Sequence, residues 1–297
     1  IISFFVFPLS IITYITNSIK KIYPKKKFNI KTICIGNIYL GGTGKTSLAI
    51  EINKILKKKF KTVFIKKKYY NQKDEINLLN NINKVISTKD RLKSLELSEK
   101  NKFEIAILDD GLQQKNISYN LKIVCFNTKD GLGNGLLLPA GPLRENLNEI
   151  KNYDLVFLNG EIENAKLLKK LKTIKKNIDI FRTNYFPINL NNLNKKKKYL
   201  MFCGIGNPHE FENTLSKYKF KIKKKIIYPD HYKFSNKEIK NIKEIAKKEK
   251  LNIITTEKDF FRLSKKQQKG IKILKIKLKI KNLSKLKKIL FNLNEKI

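Results

Sequence analysis

Three glycines, a lysine and two threonines fall together at Gly41-Gly42-Thr43-Gly44-Lys45-Thr46. Glycines without a Cβ let backbone N–H groups converge on phosphate oxygens. Lys45 then reaches the β- and γ-phosphates of a nucleotide, and the Thr46 hydroxyl suits a Mg²⁺ ion. The usual pattern has another glycine five residues before Gly44; Tyr39 stands there. A second cluster is Asp109-Asp110-Gly111, which ends the apolar run that follows Glu104. A phosphate loop needs such a strand-end acid beside its metal. A third is the glycine- and proline-rich stretch 130–145, which closes on Arg144-Glu145. That pair offers a cation and a carboxylate to phosphates and metal, although the stretch alone also suits a surface loop with a solvated ion pair. His209 and His231 lie far from any cysteine pair, so zinc is not expected. Cys34, Cys125 and Cys203 sit in apolar runs and read as small buried residues of a reducing compartment.

These groups need elements to hold them. Residues 32–35 read as a buried strand, and a helical pattern begins at Ser47, so the glycine turn links a strand to a helix N-terminus with its partial positive charge. Further strands are expected at 61–65, 84–88, 104–108, 121–126, 154–158, 199–203, 253–256 and 271–276. Helices are expected at 91–100, 211–218, from Ser235 to about Lys250, and at 283–292. Ser235 with Glu238 forms a capping-box signal. Residues 66–83 are polar and read as irregular. The alternation of strand and helix implies an α/β fold with a parallel sheet whose carboxyl ends meet at the ligand crevice. A lysine run at 195–198 places a boundary near residue 191, giving a phosphate-loop core at 29–190 and a smaller α/β domain at 191–297. Residues 1–19 carry no charge, and Lys20, Lys21, Lys25, Lys26 and Lys27 follow. Pro8, Ser10, Thr13 and Asn17 dilute the apolar run, so residues 1–28 read as a helix lying in a membrane interface and a basic linker, with lysines on lipid head groups; a helix packed on the domain and a membrane span are the competing readings.

The chain has 297 residues, of which 41% are hydrophobic, so a sizeable core is available. Its formal charge of +40 comes from 65 basic and 25 acidic residues. The lysines are spread over most segments, which fits solvated faces and a bias toward A/T-rich codons. No aromatic-basic strands or basic recognition helix accompany them, so nucleic acid is not an expected partner. A non-kinase P-loop ATPase of the partitioning or metal-carrier type is a competing reading of the loop alone.

The motifs taken together narrow the choice. Gly36-Asn37 with residues 41–46, then Asp109-Asp110-Gly111-Leu112-Gln113, then GLGNGLLLPAGPLRE at 131–145, then Cys203-Gly204-Ile205-Gly206-Asn207-Pro208, Asp230-His231 and Thr255-Thr256-Glu257-Lys258-Asp259 resemble the tetraacyldisaccharide 4'-kinase family of the lipid A pathway. The resemblance spans nearly the whole chain, and residues 131–145 are its most specific part. It implies a P-loop NTPase-like α/β/α core with a second, smaller α/β domain and an N-terminal membrane-associated helix. It implies transfer of the γ-phosphate of ATP to the 4'-hydroxyl of an acylated glucosamine disaccharide 1-phosphate, with Mg²⁺, at the cytoplasmic face of the inner membrane. Carried over by position, Gly41, Gly42, Thr43, Gly44, Lys45, Thr46 and Arg144 serve ATP. Thr46, Asp109, Asp110 and Glu145 serve the metal. The family's catalytic Asp–His pair falls on Asp74 and His231, with Lys45 assisting, and its motif tyrosine falls on Tyr69. The chain departs from the family at Lys66-Lys67-Lys68-Tyr69-Tyr70-Asn71, which replaces Ser-Arg-Gly-Tyr-Gly-Arg, at Ile76 in place of proline and at Gln114 in place of histidine.

Overall fold

A computed structural model describes residues 2–69, 73–230 and 232–293. The chain divides into two compact units: Ile1–Lys68, Ile82–Asn184 and Leu278–Ile297 form the first, and Tyr69–Asn81 with Tyr185–Lys277 form the second.

The first unit is built on an eight-stranded sheet. Its strands are β1 (Lys31–Gly36), β2 (Thr62–Lys66), β3 (Val85–Ile86), β4 (Ile105–Asp109), β5 (Leu121–Asn127), β6 (Leu155–Asn159), β7 (Asp179–Pro187) and β12 (Ile276–Ile280), in the order β12-β7-β6-β5-β1-β4-β2-β3. From β3 to β7 every pairing is parallel. Strands covered on both faces carry apolar runs without alternation, and β2, β4 and β6 are buried at every position. The helices of this unit are α1 (Ile2–Ile22), α2 (Lys45–Leu56), α4 (Arg91–Lys100), α5 (Ala165–Ile174) and α10 (Leu283–Phe291). α2 buries Leu48, Ala49, Ile52 and Leu56, a helical stripe laid on the sheet. Asp90 caps α4 by accepting from Leu92 N, and so fixes where Arg91 starts.

The second unit has a four-stranded parallel sheet in the order β11-β10-β8-β9. Its strands are β8 (Lys198–Cys203), β9 (Lys221–Ile227), β10 (Asn252–Thr256) and β11 (Ile271–Leu274). Its helices are α3 (Lys73–Asn80), α6 (Pro208–Lys217), α7 (Asn236–Lys248), α8 (Glu257–Phe260) and α9 (Lys265–Gln268). Successive side chains of β8 face opposite sides. Tyr199, Met201 and Cys203 pack with Phe211 and Leu215, while Leu200 and Phe202 pack with Ile239 and Ile242. The capping box of Ser235 and Glu238 is formed at the start of α7.

Some elements differ from the sequence expectation. Residues 73–80 are helical, not irregular; Ile76 and Leu79 lie three apart on one face, a pattern the flanking asparagines and lysines obscure. The single strand expected at 271–276 is instead part of two: β11 ends at Leu274, and β12 starts at Ile276 in the other sheet. The run from Ile271 to Ile280 alternates almost without interruption, so no turn signal marks the switch. Among the described residues no helix is long and apolar enough to cross a membrane. α1 carries the expected N-terminal run, with Lys20 and Lys21 in its last turn.

Candidate active site

β1 ends at Gly36, and the chain then turns through residues 37–44 into α2. Gly41 and Gly44 take φ values of +130° and +83°, where any side chain is strained, and Gly44 is the N-cap of α2. Tyr39 is not among the positive-φ residues, so that position makes no demand for glycine. Its side chain is an anchor: the ring stacks on Phe126 and the hydroxyl accepts from Asn127 N.

β4 is the neighbour of β1, so its carboxyl end brings Asp109 and Asp110 beside this turn. Asp109 is fully buried and accepts from the Thr46 hydroxyl at 2.9 Å. The Lys66 ammonium, at the end of β2 and itself buried, lies 2.6 Å from the same carboxylate oxygen. The other oxygen, Oδ1, is buried without a hydrogen-bond partner, as are the Thr43 hydroxyl and Gln113 Oε1. Leaving one such group unmet costs about 1–3 kcal/mol, so several around one turn mark a place for a polar guest. Asp110 takes the left-handed conformation, φ +61°. Arg144 Nη1 bonds its Oδ1 at 3.1 Å, and Lys45 Nζ lies 3.9 Å away. Burial by itself would raise the Asp110 carboxyl, but Lys45, Arg144, Lys66 and Arg91 outweigh it and hold the group below the usual carboxylate range.

Arg144 is placed by backbone as well as by charge. Its N–H donates to Ile38 O at 2.7 Å, and Leu40 N donates to Pro142 O at 2.8 Å, so the 131–145 stretch lies along the phosphate turn. Its guanidinium also reaches Asn37 Oδ1 at 3.1 Å, and Gln113 Nε2 donates to Asn37 O at 2.8 Å. Glu145 goes elsewhere. It is buried, the Lys115 ammonium lies 3.0 Å from its carboxylate, and the Tyr153 hydroxyl donates to it. The structure therefore gathers Lys45, Thr46, Asp109, Asp110 and Arg144, and it holds Glu145 in a separate ion pair. Lys66 and Arg91 are site residues that the sequence reading did not single out. Lys66 stood in the departing motif, and only the pairing of β2 with β4 puts it opposite Asp109.

In the second unit, His231 and the Asp74 side chain lie outside the described residues. Their chain neighbours are described. Lys258 on α8 sits 3.3 Å from Glu75 Oε1 and 3.9 Å from Asp230 Oδ1. Thr256 caps that helix, accepting from Asp259 N, and buried Asp259 pairs with Arg262 at 2.9 Å. Tyr69 is exposed. The three cysteines are unpaired and buried, and burial pushes their thiols up to about 12, which suits packing and not reactivity.

An all-oxygen donor set of Thr46, Asp109 and Asp110, with Asp109 Oδ1 unmet, fits Mg²⁺, which takes one or two carboxylates and keeps several waters. Beside a glycine turn, a lysine and a helix N-terminus, the arrangement suits a nucleoside triphosphate with its metal.

A family model described as tetraacyldisaccharide-1-P 4'-kinase matches residues 2–295. A tetraacyldisaccharide 4'-kinase of Pelagibacter ubique is 46% identical over 299 residues, covering 99% of this chain and 95% of its own. One from Rickettsia canadensis is 35% identical over 249 residues, covering 77% of this chain and 75% of its own. Among solved structures, LpxK from Aquifex aeolicus in complex with ATP superimposes with a TM-score of 0.77 at 22% identity, covering 99% of both chains.

Proposed function

The chain belongs to the tetraacyldisaccharide-1-P 4'-kinase family, and on that premise we propose how its residues divide the work. The protein is a kinase that uses ATP to phosphorylate the 4'-hydroxyl of tetraacyldisaccharide 1-phosphate, forming lipid IVA in lipid A biosynthesis. The observation that supports the residue assignment best is the convergence of Thr46 on Asp109, and of Lys45 and Arg144 on Asp110, beside the glycine turn.

In our reading the backbone of residues 41–46 wraps the β- and γ-phosphates. Lys45 leaves Asp110 for the phosphoryl oxygens when ATP binds, and Arg144 offsets charge that builds on them in the transition state. Thr46, Asp109 and Asp110 would hold Mg²⁺, which supplies charge neutralisation to the phosphates. Glu145, paired with Lys115, supports the loop behind Arg144 and is a weaker candidate for that ion. A sugar hydroxyl is a poor nucleophile. Asp74 takes its proton as its oxygen attacks the γ-phosphorus, the bond from that phosphorus to the bridging oxygen breaks, and ADP leaves. His231 serves as the partner of Asp74. Lys258 tethers the neighbours of both residues, Glu75 and Asp230. The second unit, Tyr69–Asn81 with Tyr185–Lys277, serves the acceptor. We place the enzyme at the cytoplasmic face of the inner membrane, seated by α1, and expect no nucleic-acid partner.

Incubating the purified chain with ATP, Mg²⁺ and tetraacyldisaccharide 1-phosphate, then weighing the lipid, tests this reading. The acceptor should gain one phosphoryl group. ATP hydrolysis stimulated by DNA or a protein, with the glycolipid unchanged, would instead identify a non-kinase ATPase.

A further inference from the structure

α1 is attached to its unit the wrong way round for an ordinary surface helix, which turns its apolar stripe inward. Phe7, Leu9, Ile11, Ile12, Tyr14, Ile15 and Ile19 are all close to half exposed or more. Among the described residues, polar side chains tie α1 to the unit. The Ser10 hydroxyl donates to Leu137 O at 2.9 Å and accepts from Ala140 N at 3.3 Å. Asn17 Nδ2 donates to Arg144 O at 2.7 Å, and Lys21 pairs with Glu149 at 2.5 Å. Residues 10, 17 and 21 are seven and four apart, so they form one stripe along the helix. Every one of these partners lies between residues 137 and 149.

Arg144 is where that stripe meets the nucleotide turn. Its carbonyl is held by α1, its N–H by Ile38 O, and its guanidinium by Asp110 and Asn37. The guanidinium sits at the end of a flexible side chain, so its aim depends on how firmly the backbone beneath it is fixed. The bond to Ile38 fixes the peptide that precedes the Arg144 Cα, and the Asn17 amide fixes the peptide that follows it. We infer that Asn17 is a positioning residue for Arg144, through which the seating of α1 sets the geometry of the ATP site. The inference rests on the reading that Arg144 serves the nucleotide.

Asn17→Asp keeps the size of the side chain and removes the N–H donor. Binding of a fluorescent ATP analogue to the full chain in detergent micelles should weaken about three- to tenfold, the range of one lost hydrogen bond. KM for the acylated disaccharide and the thermal midpoint should stay near wild type. Asn17→Gln, which restores an amide donor, should recover most of the affinity. Ser18→Ala, one residue along, loses only a bond to Tyr14 O within α1 and should bind as wild type does. Wild-type affinity in Asn17→Asp, or a parallel fall in nucleotide affinity, acceptor affinity and midpoint, overturns the inference. Arg144→Gln separates the two claims. If it weakens nucleotide binding and Asn17→Asp does not, the positioning role alone fails; if it leaves binding untouched, the assignment of Arg144 fails and the inference falls with it.

Discussion

The Lys66–Asp109 pair is the most buried charge pair of the site, with side-chain exposures of 4% and 0%. Breaking such a pair by removing one partner leaves an uncompensated charge and costs about 3–5 kcal/mol. Lys66→Met should therefore lower the free energy of urea unfolding by that order when a chelator is present. Mg²⁺ with ADP should restore part of it, because the metal replaces the lost cation; an equal loss with and without Mg²⁺ would separate Asp109 from the metal. Asp110 gives a pH test. Its folded value is depressed, so it adds stability above its ordinary value of about 3.9 and loses it as pH falls through the lower folded value. Arg144→Gln removes one cause of that depression. The variant should be less stable than wild type at neutral pH, and the gap should close as acid titrates Asp110 in both proteins; acid-denaturation curves that stay parallel to the lowest pH would contradict it. Lys45, Thr46 and the two aspartates were legible in the sequence because loop chemistry demands those residue types at fixed places along the chain. Lys66 and Arg91 were not: Lys66 acts across strands, Arg91 acts from the start of α4, and a lysine among so many carries no signal.

At the scale of elements, residues 131–145 are specified by contact as much as by composition. A Cβ on Gly141 would lie 2.5 Å from Leu136 O and 2.1 Å from Asn134 Oδ1. The first of these is backbone and cannot rotate away. Gly133, at φ +59°, would press a Cβ to 2.7 Å from Pro142 Cγ. Gly141→Ala should thus deform the loop that carries Arg144, weakening ATP-analogue binding at least as much as Arg144→Gln does. Gly42→Ala has open space around its Cβ and a negative φ, and should be milder on folding. Near-wild-type nucleotide binding by Gly141→Ala would show that the loop tolerates rearrangement. The central strands were legible as apolar runs because parallel strands are buried on both faces. β7 gave no such signal: its burial is mixed along Asp179–Pro187, as befits a strand near the edge of the sheet. Likewise β9 alternates exposed and half-buried residues, and its lysines mask it.

For the whole molecule, we propose that the exposed apolar residues of α1 and the lysines that directly follow them meet a lipid surface with acidic head groups. The two features act over different ranges. Apolar side chains contribute only once inserted, at roughly 25 cal/mol per Å² removed from water. Lysines near an acidic surface contribute about 1 kcal/mol each and fade beyond a Debye length, which shrinks from about 10 Å to 3 Å between 0.1 and 1 M salt. Lys20, Lys21, Lys25, Lys26 and Lys27 follow the apolar run directly, where they can reach head groups while Ile12 and Ile15 enter the acyl region. The full chain should co-sediment with vesicles containing phosphatidylglycerol at low salt, and more weakly with phosphatidylcholine alone. High salt should reduce the difference between the two lipids without abolishing binding. Ile12→Glu combined with Ile15→Glu should release the protein from both vesicle types, because it places charge in the face that must insert. Undiminished sedimentation of that double variant would mean that spread lysines, and not α1, make the contact.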